Sequence, residues 1–218
     1  MVENSRLLPR TIWLGVILLA SLLGLDYLVS VAEVKHVKHH PLPVICKIAD
    51  FALTNQNAQV TSLAELSNHV WVADIIFTRC AGPCPRMTRQ MASLQTALPA
   101  KSGARLVTLT TDAEYDTPPV LKKYGERFQA DFNRWTFLTG DKKEIAALAS
   151  GSLKLGAEPV KPEDQRDAAD LFVHSTIFVI VDKHAQLRAV FETGGDGVEW
   201  TNVQPHILNT LGQLEREP

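Results

Sequence analysis

The sequence predicts an α/β domain: a central, largely parallel sheet with an antiparallel edge and helices on both faces, preceded by one apolar N-terminal helix. Three observations carry this. From residue 44 on, apolar runs of strand length alternate with segments of helical periodicity. The last two strand-like runs are joined by a tight turn, Lys183-His184-Ala185-Gln186, which only antiparallel neighbours permit. At the other end, no charge occurs from Ile12 to Leu25 (IWLGVILLASLLGL).

The N-terminal run continues past Asp26 to Ala32, 21 residues in all, close to the ~20 that cross a bilayer as a helix. Arg6 and Arg10 precede it, which predicts a cytoplasmic N-terminus and an extracytoplasmic domain. The expectation is a single-pass anchor over residues 1–33, in the inner membrane with the domain on the periplasmic side. A cleaved signal segment is the alternative, with Ser30-Val31-Ala32 as its site. Residues 34–43 (VKHVKHHPLP) form a polar tether ending in prolines. His36, His39 and His40 offer weak metal ligands there, but a solvated linker is the better reading.

The domain spans residues 44–218. Phe51 to Leu53 and Val60 flank NQNAQ, a hairpin turn. Ser62 to Leu66 is a short helix. Val70 to Phe77 (VWVADIIF) is a strand buried on both faces. Pro85 to Leu98 places Met87, Met91, Leu94 and Leu98 at helical spacing, with Pro85 at the first helical position. Arg105 to Thr111 is a second central strand. Pro118 to Phe128 is a helix with Val120, Leu121, Tyr124 and Phe128 on one side. Trp135 to Leu138 is a short strand, and Asp141 caps a helix to about Leu148. Ser150 to Asp170, with Gly151, Gly156, Pro159 and Pro162, is expected to be a long surface loop. Leu171 to Asp182 is a further buried strand, Leu187 to Glu192 its partner. Gly194 to Gly197 is a loop, and Val203 to Leu214 a closing amphipathic helix.

Composition narrows function. Lys and Arg number 22 against 24 Asp and Glu, a formal net charge of −2, which lacks the basic stripe that nucleic acid requires. A 45% hydrophobic content supports a core. Three cysteines are too few for a disulfide scaffold or an all-cysteine zinc site.

The chemistry centres on Cys80 and Cys84, in FTRCAGPCPRMT, where a buried strand ends and a helix begins. In α/β sheets function sits at the carboxyl ends of strands. The helix N-terminus is expected to lower the pKa of Cys84 and favour its thiolate, the form that binds metal or attacks a disulfide. Two soft sulfurs select copper(I), zinc or an iron–sulfur cluster. His174, 90 residues after Cys84, interrupts an apolar strand. It is either a third ligand or a buried histidine bonded to backbone. Cys46 is expected to be a small buried hydrophobe.

These segments resemble the Sco/SenC copper-binding proteins, which have a thioredoxin-like fold, over about residues 44–215. FTRC-x-x-x-CP is similar to the family's Cys-x-x-x-Cys-Pro site. TLTTDAEYDTPPVLKKYGERF is similar to its strand, Asp, turn and Asp-Thr-Pro stretch, on which Asp112, Asp116, Thr117 and Pro118 fall. FLTGDKKEI and HSTIFVIVD follow in the family's order. The chain departs from the pattern at Ala81-Gly82-Pro83 and at Val173, where the family often has acids.

The resemblance implies Cys80, Cys84 and His174 as ligands of one copper, copper(I) first and copper(II) second. It implies delivery to the copper-bearing subunit of a haem–copper oxidase, a metallochaperone role rather than catalysis. The alternative is a thiol–disulfide oxidoreductase in which Cys80 and Cys84 are the catalytic redox pair. A thiol peroxidase using Thr78 and Arg79 fits less well, because so close a pair leaves no typical resolving cysteine.

Overall fold

The computed structural model describes residues 7–35, 41–156 and 176–218. The chain forms two compact units, Met1–Pro41 and Leu42–Pro218. The first contains α1 (Leu7–Lys35), a helix where one was expected. Its side chains are described for residues 12–26, and the large apolar ones there, Ile12, Trp13, Leu18 and Leu22 among them, are exposed. Among the described residues no helix is long and apolar enough to cross a membrane.

The second unit is built on one eight-stranded mixed sheet. Its strands in chain order are β1 (Cys46–Lys47), β2 (Ala52–Asn55), β3 (Val60–Ser62), β4 (Trp71–Ile76), β5 (Arg105–Thr110), β6 (Trp135–Thr139), β7 (Ile177–Val181) and β8 (Gln186–Glu192). Their order across the sheet is β1-β8-β7-β4-β5-β6-β2-β3. Only β4, β5 and β6 run parallel, with Ala73 opposite Val107 and Val107 opposite Thr136. Antiparallel strands flank them on both sides: β7 and β8 beyond β4, and the β2–β3 hairpin beyond β6. The expected single antiparallel edge is therefore two. The hairpin pairs with β6 through Thr54 opposite Thr139, and just beyond it Gly140 packs so closely on Leu53 that a Cβ there would come within 2.9 Å of the leucine side chain.

Strand alternation sorts the core into two layers. Val72, Ile76, Leu106, Trp135, Phe137, Phe178 and Ile180 face α3 (Cys84–Ala97), α4 (Pro118–Arg127) and α6 (Trp200–Arg216). Trp71, Ala73, Ile75, Val107, Leu109, Val179 and Val181 face α2 (Leu63–Leu66) and α5 (Lys142–Ala146). Every residue of β4 is buried, as its apolar run implied. Helix α3 turns Met87, Met91 and Leu94 inward at intervals of three and four, which covers one face of the sheet.

Two elements differ from expectation. Asp141 caps α5, accepting from the amides of Lys143 (2.8 Å) and Glu144 (3.2 Å), but the helix then continues as a π-helical turn, Ala147–Ser152. Residues 150–156 are therefore anchored to the core rather than a free surface loop: Ser150, Gly151, Lys154 and Gly156 are exposed, but Leu153 and Leu155 are fully buried in the second layer. Two leucines two apart give no helical period, so the glycines around them dominated the sequence pattern. The rest of the expected loop, and His174 with the start of its strand, lie outside the described residues. Cys46 is half-buried rather than buried. It sits at the sheet edge in β1, and its Sγ donates to the Ser152 carbonyl at 3.1 Å.

Candidate metal centre and dithiol site

β4 delivers the chain to Phe77, and the Cys80 amide donates to the Phe77 carbonyl at 3.2 Å, turning the backbone back. Pro83 then opens α3. Cys84 is its first residue and Pro85 its second, one position later than expected. The Pro83 carbonyl accepts from the amides of Arg86 and Met87, both at 3.0 Å, and closes the first turn. This local geometry puts Cys80 and Cys84 side by side.

Both cysteines are free thiols and both are buried, at 5% and 2% exposure. The pKa of Cys84 is raised, first by its hydrogen bond to Cys80 and then by burial. This corrects the expectation of a low-pKa Cys84. The helix N-terminus is present, but a thiol that donates to a neighbouring sulfur in an apolar layer resists losing its proton. Among the described residues no group of three or more His, Cys, Asp or Glu side chains gathers for a metal. The structure thus brings two of the three expected ligands together, and His174 falls outside what it describes.

The loop is clamped from behind. Asp116, fully buried, accepts from the Thr78 amide at 3.0 Å and from the hydroxyls of Thr78 and Thr110. These bonds tie the segment just before Cys80 to the end of β5. Burial raises the pKa of Asp116, with the threonine bonds opposing. Thr78 is thereby committed to Asp116, and Arg79 to Asp112 at 2.5 Å and to the face of Tyr115. That leaves neither poised as a peroxide-polarising group. On the other side, the Thr88 hydroxyl bonds the Cys84 carbonyl (2.9 Å) and the Tyr124 hydroxyl (2.8 Å).

Sequence reasoning missed Asp74. It sits mid-β4, fully buried, on the same sheet face as the cysteines. One oxygen accepts from the Thr108 hydroxyl at 2.6 Å, which in turn accepts from Trp135 Nε1 at 2.9 Å. The other oxygen has no hydrogen-bond partner among the described residues. Burial pushes its pKa up to about 7. The signal was a lone acid in the apolar run VWVADIIF.

A mixed sheet with a thiol pair at the junction of a central strand and the following helix defines a thioredoxin-like dithiol protein. The SCO1/SenC family model matches residues 45–203. The chain belongs to that family. It is 35% identical to the SCO1 protein homolog of Bacillus subtilis over 141 residues, 64% of this chain and 70% of the relative. A Stutzerimonas stutzeri relative, described as a candidate copper-binding protein, is 30% identical over 149 residues, 67% of this chain and 70% of its own. Among solved structures, that of BsSco is 29% identical with a TM-score of 0.65, covering 80% of this chain and 99% of its own. BsSco is described as having a disulfide switch and as a member of the Sco family of cytochrome c oxidase assembly proteins.

Proposed function

We propose that the chain is a membrane-tethered, extracytoplasmic copper carrier that serves assembly of a respiratory cytochrome c oxidase. The observation that carries this is the buried Cys80–Cys84 pair, hydrogen-bonded sulfur to sulfur, in a chain of the SCO1/SenC family. Two adjacent, shielded soft donors suit copper(I), a soft cation that binds the sulfurs as their protons leave. His174 would complete the set with one nitrogen. The copper-bearing oxidase subunit is the proposed recipient. α1, whose apolar run from Ile12 is preceded by Arg6 and Arg10, would be the inner-membrane anchor.

The test is X-ray absorption on the reduced full-length chain loaded with copper(I). Two sulfurs and one nitrogen are expected. Absence of copper–sulfur scattering, or binding unchanged by Cys80→Ser, would overturn the reading. Alkaline phosphatase fused after His40 should be active, and an inactive fusion counts against the topology.

A second reading, thiol–disulfide exchange with a partner protein, is favoured by the disulfide switch described for BsSco. His174→Ala separates the two, since it should weaken copper retention and largely spare disulfide exchange.

A further inference from the structure

Beside the thiol pair lies a cavity of about 290 Å³, lined chiefly by Thr78, Arg79, Tyr115, Lys123, Tyr124 and Arg127. Thr78 and Arg79 directly precede Cys80. Lys123 and Tyr124 lie four and three residues before Arg127 in α4, so both adjoin it on the helix surface. The cavity opens at the carboxyl ends of the parallel strands β4 and β5, where α/β sheets bind ligands.

Its charge is of one sign. Three cations line it and no carboxylate does, in a chain whose net charge is −2. Arg79 is balanced by Asp112. Among the described residues, neither Lys123 nor Arg127 is in an ion pair. The guanidiniums are held in place: Arg79 lies 4.1 Å from the Tyr115 ring centroid and Arg127 4.9 Å from that of Tyr124. Cations fixed over aromatic faces present planar donors at little further entropic cost. A phosphate site would want backbone amides aimed into the cavity, but the Thr78 amide and hydroxyl are both spent on Asp116. Carboxylate side chains on a peptide, with apolar atoms to lie on Tyr115 and Val120, suit it better.

We propose that this cavity docks an acidic segment of the protein with which Cys80 and Cys84 exchange copper or disulfide, its carboxylates set against Lys123 and Arg127. The inference rests on the dithiol reading above and adds the chemistry by which the partner is chosen. It explains why the cations adjoin Cys80: a docked acidic segment brings its own sulfur ligands to the site's mouth.

The experiment uses the reduced full-length chain in neutral detergent and a fluorescein-labelled acidic peptide, compared with its Asn/Gln counterpart. Anisotropy should show the acidic peptide binding about tenfold tighter at low salt, with the advantage fading as salt screens it. The Lys123→Gln/Arg127→Gln double variant should lose most of that preference. Lys123→Glu alone, at an exposed position, should weaken acidic binding without risk to the core. Equal affinity for the two peptides, or a preference surviving both variants, overturns the proposal. So does displacement of the peptide by submillimolar inorganic phosphate, which would assign the cavity to phosphate. Copper(I) stoichiometry is measured on the same samples. Charge selectivity without copper keeps the cavity and removes the copper reading; copper without selectivity does the reverse.

Discussion

Replacing Asp74 by Asn isolates a cost built into the centre of the sheet. Burial holds this carboxyl's pKa at about 7 in the folded protein, well above the ordinary carboxylate value. In the unfolded chain the same group ionises near its ordinary value. Between pH 4 and pH 7 the unfolded state therefore releases a proton that the folded state keeps, and stability falls as pH rises through that window. The gap between the ordinary carboxylate value and about 7, at 1.36 kcal/mol per pH unit, makes the full penalty about 4 kcal/mol above pH 7. Asn cannot ionise. Its oxygen can still accept from Thr108, and its amide replaces the oxygen that has no partner among the described residues. Near pH 4 the two proteins should be about equally stable, since protonated Asp and Asn are both neutral there. Above pH 7 Asp74→Asn should be more stable by several kcal/mol. The measurement is urea unfolding of the reduced chain across pH, followed by the fluorescence of Trp71 and Trp135, both buried. A difference that does not change with pH, or a variant less stable at pH 8, would refute a neutral buried Asp74.

Three other outcomes follow from the same geometry. Gly125→Ala in α4 should cost about 1–3 kcal/mol despite better helix propensity: its Cβ would come within 2.8 Å of Phe132 Cε1 and 2.9 Å of Phe137 Cε2. Urea titration decides it, and unchanged stability would mean those rings yield freely. Asp182→Ala should cost about 3–5 kcal/mol, because Arg188, 2.6 Å from Asp182 and 6% exposed, keeps a buried charge with only Glu217 and backbone carbonyls to meet it. A thermal melt unchanged from the parent would contradict this. Cys84 should react with iodoacetamide far more slowly than glutathione at neutral pH, accelerating only at strongly alkaline pH, since its pKa is raised. Mass spectrometry reads the labelled site, and Cys84 labelling at the rate of a free thiol would restore the low-pKa expectation.

Much of the fold was legible because its central strands are buried on both faces. VWVADIIF and RLVTLTT became β4 and β5 within a residue of expectation, and the helical spacing of Met87, Met91 and Leu94 became α3. NQNAQ marked the hairpin, where Asn55 Oδ1 accepts from the amides of Asn57 and Gln59. Lateral order was not legible. Nothing in the periodicity of IFVIV says that β7 lies against β4 rather than beside β6, because pairing is decided by long-range packing. The site was half legible. Spacing and neighbours exposed Cys80 and Cys84 as a pair, but the direction of the Cys84 shift depends on a sulfur-to-sulfur contact and on burial, which no helix-position rule contains. Asp116 was visible as part of a motif, its clamping of Thr78 and Thr110 only in three dimensions.

The antiparallel pairing of β4 with β7 has a consequence for how the chain is made. Trp71 meets Val181 across that seam, 110 residues later in sequence, whereas β4 meets β5 after one helix. A nascent chain emerging N-terminus first can form the β4–α3–β5 unit early, but the strand that leads into the cysteine loop keeps one open edge until residues 177–181 arrive. Ile180 and Phe178, which cover the apolar layer containing both sulfurs, come with that late strand. The thiols are therefore shielded only when synthesis is nearly complete, and until then they are open to whatever oxidant or thiol-protecting factor waits where the chain emerges.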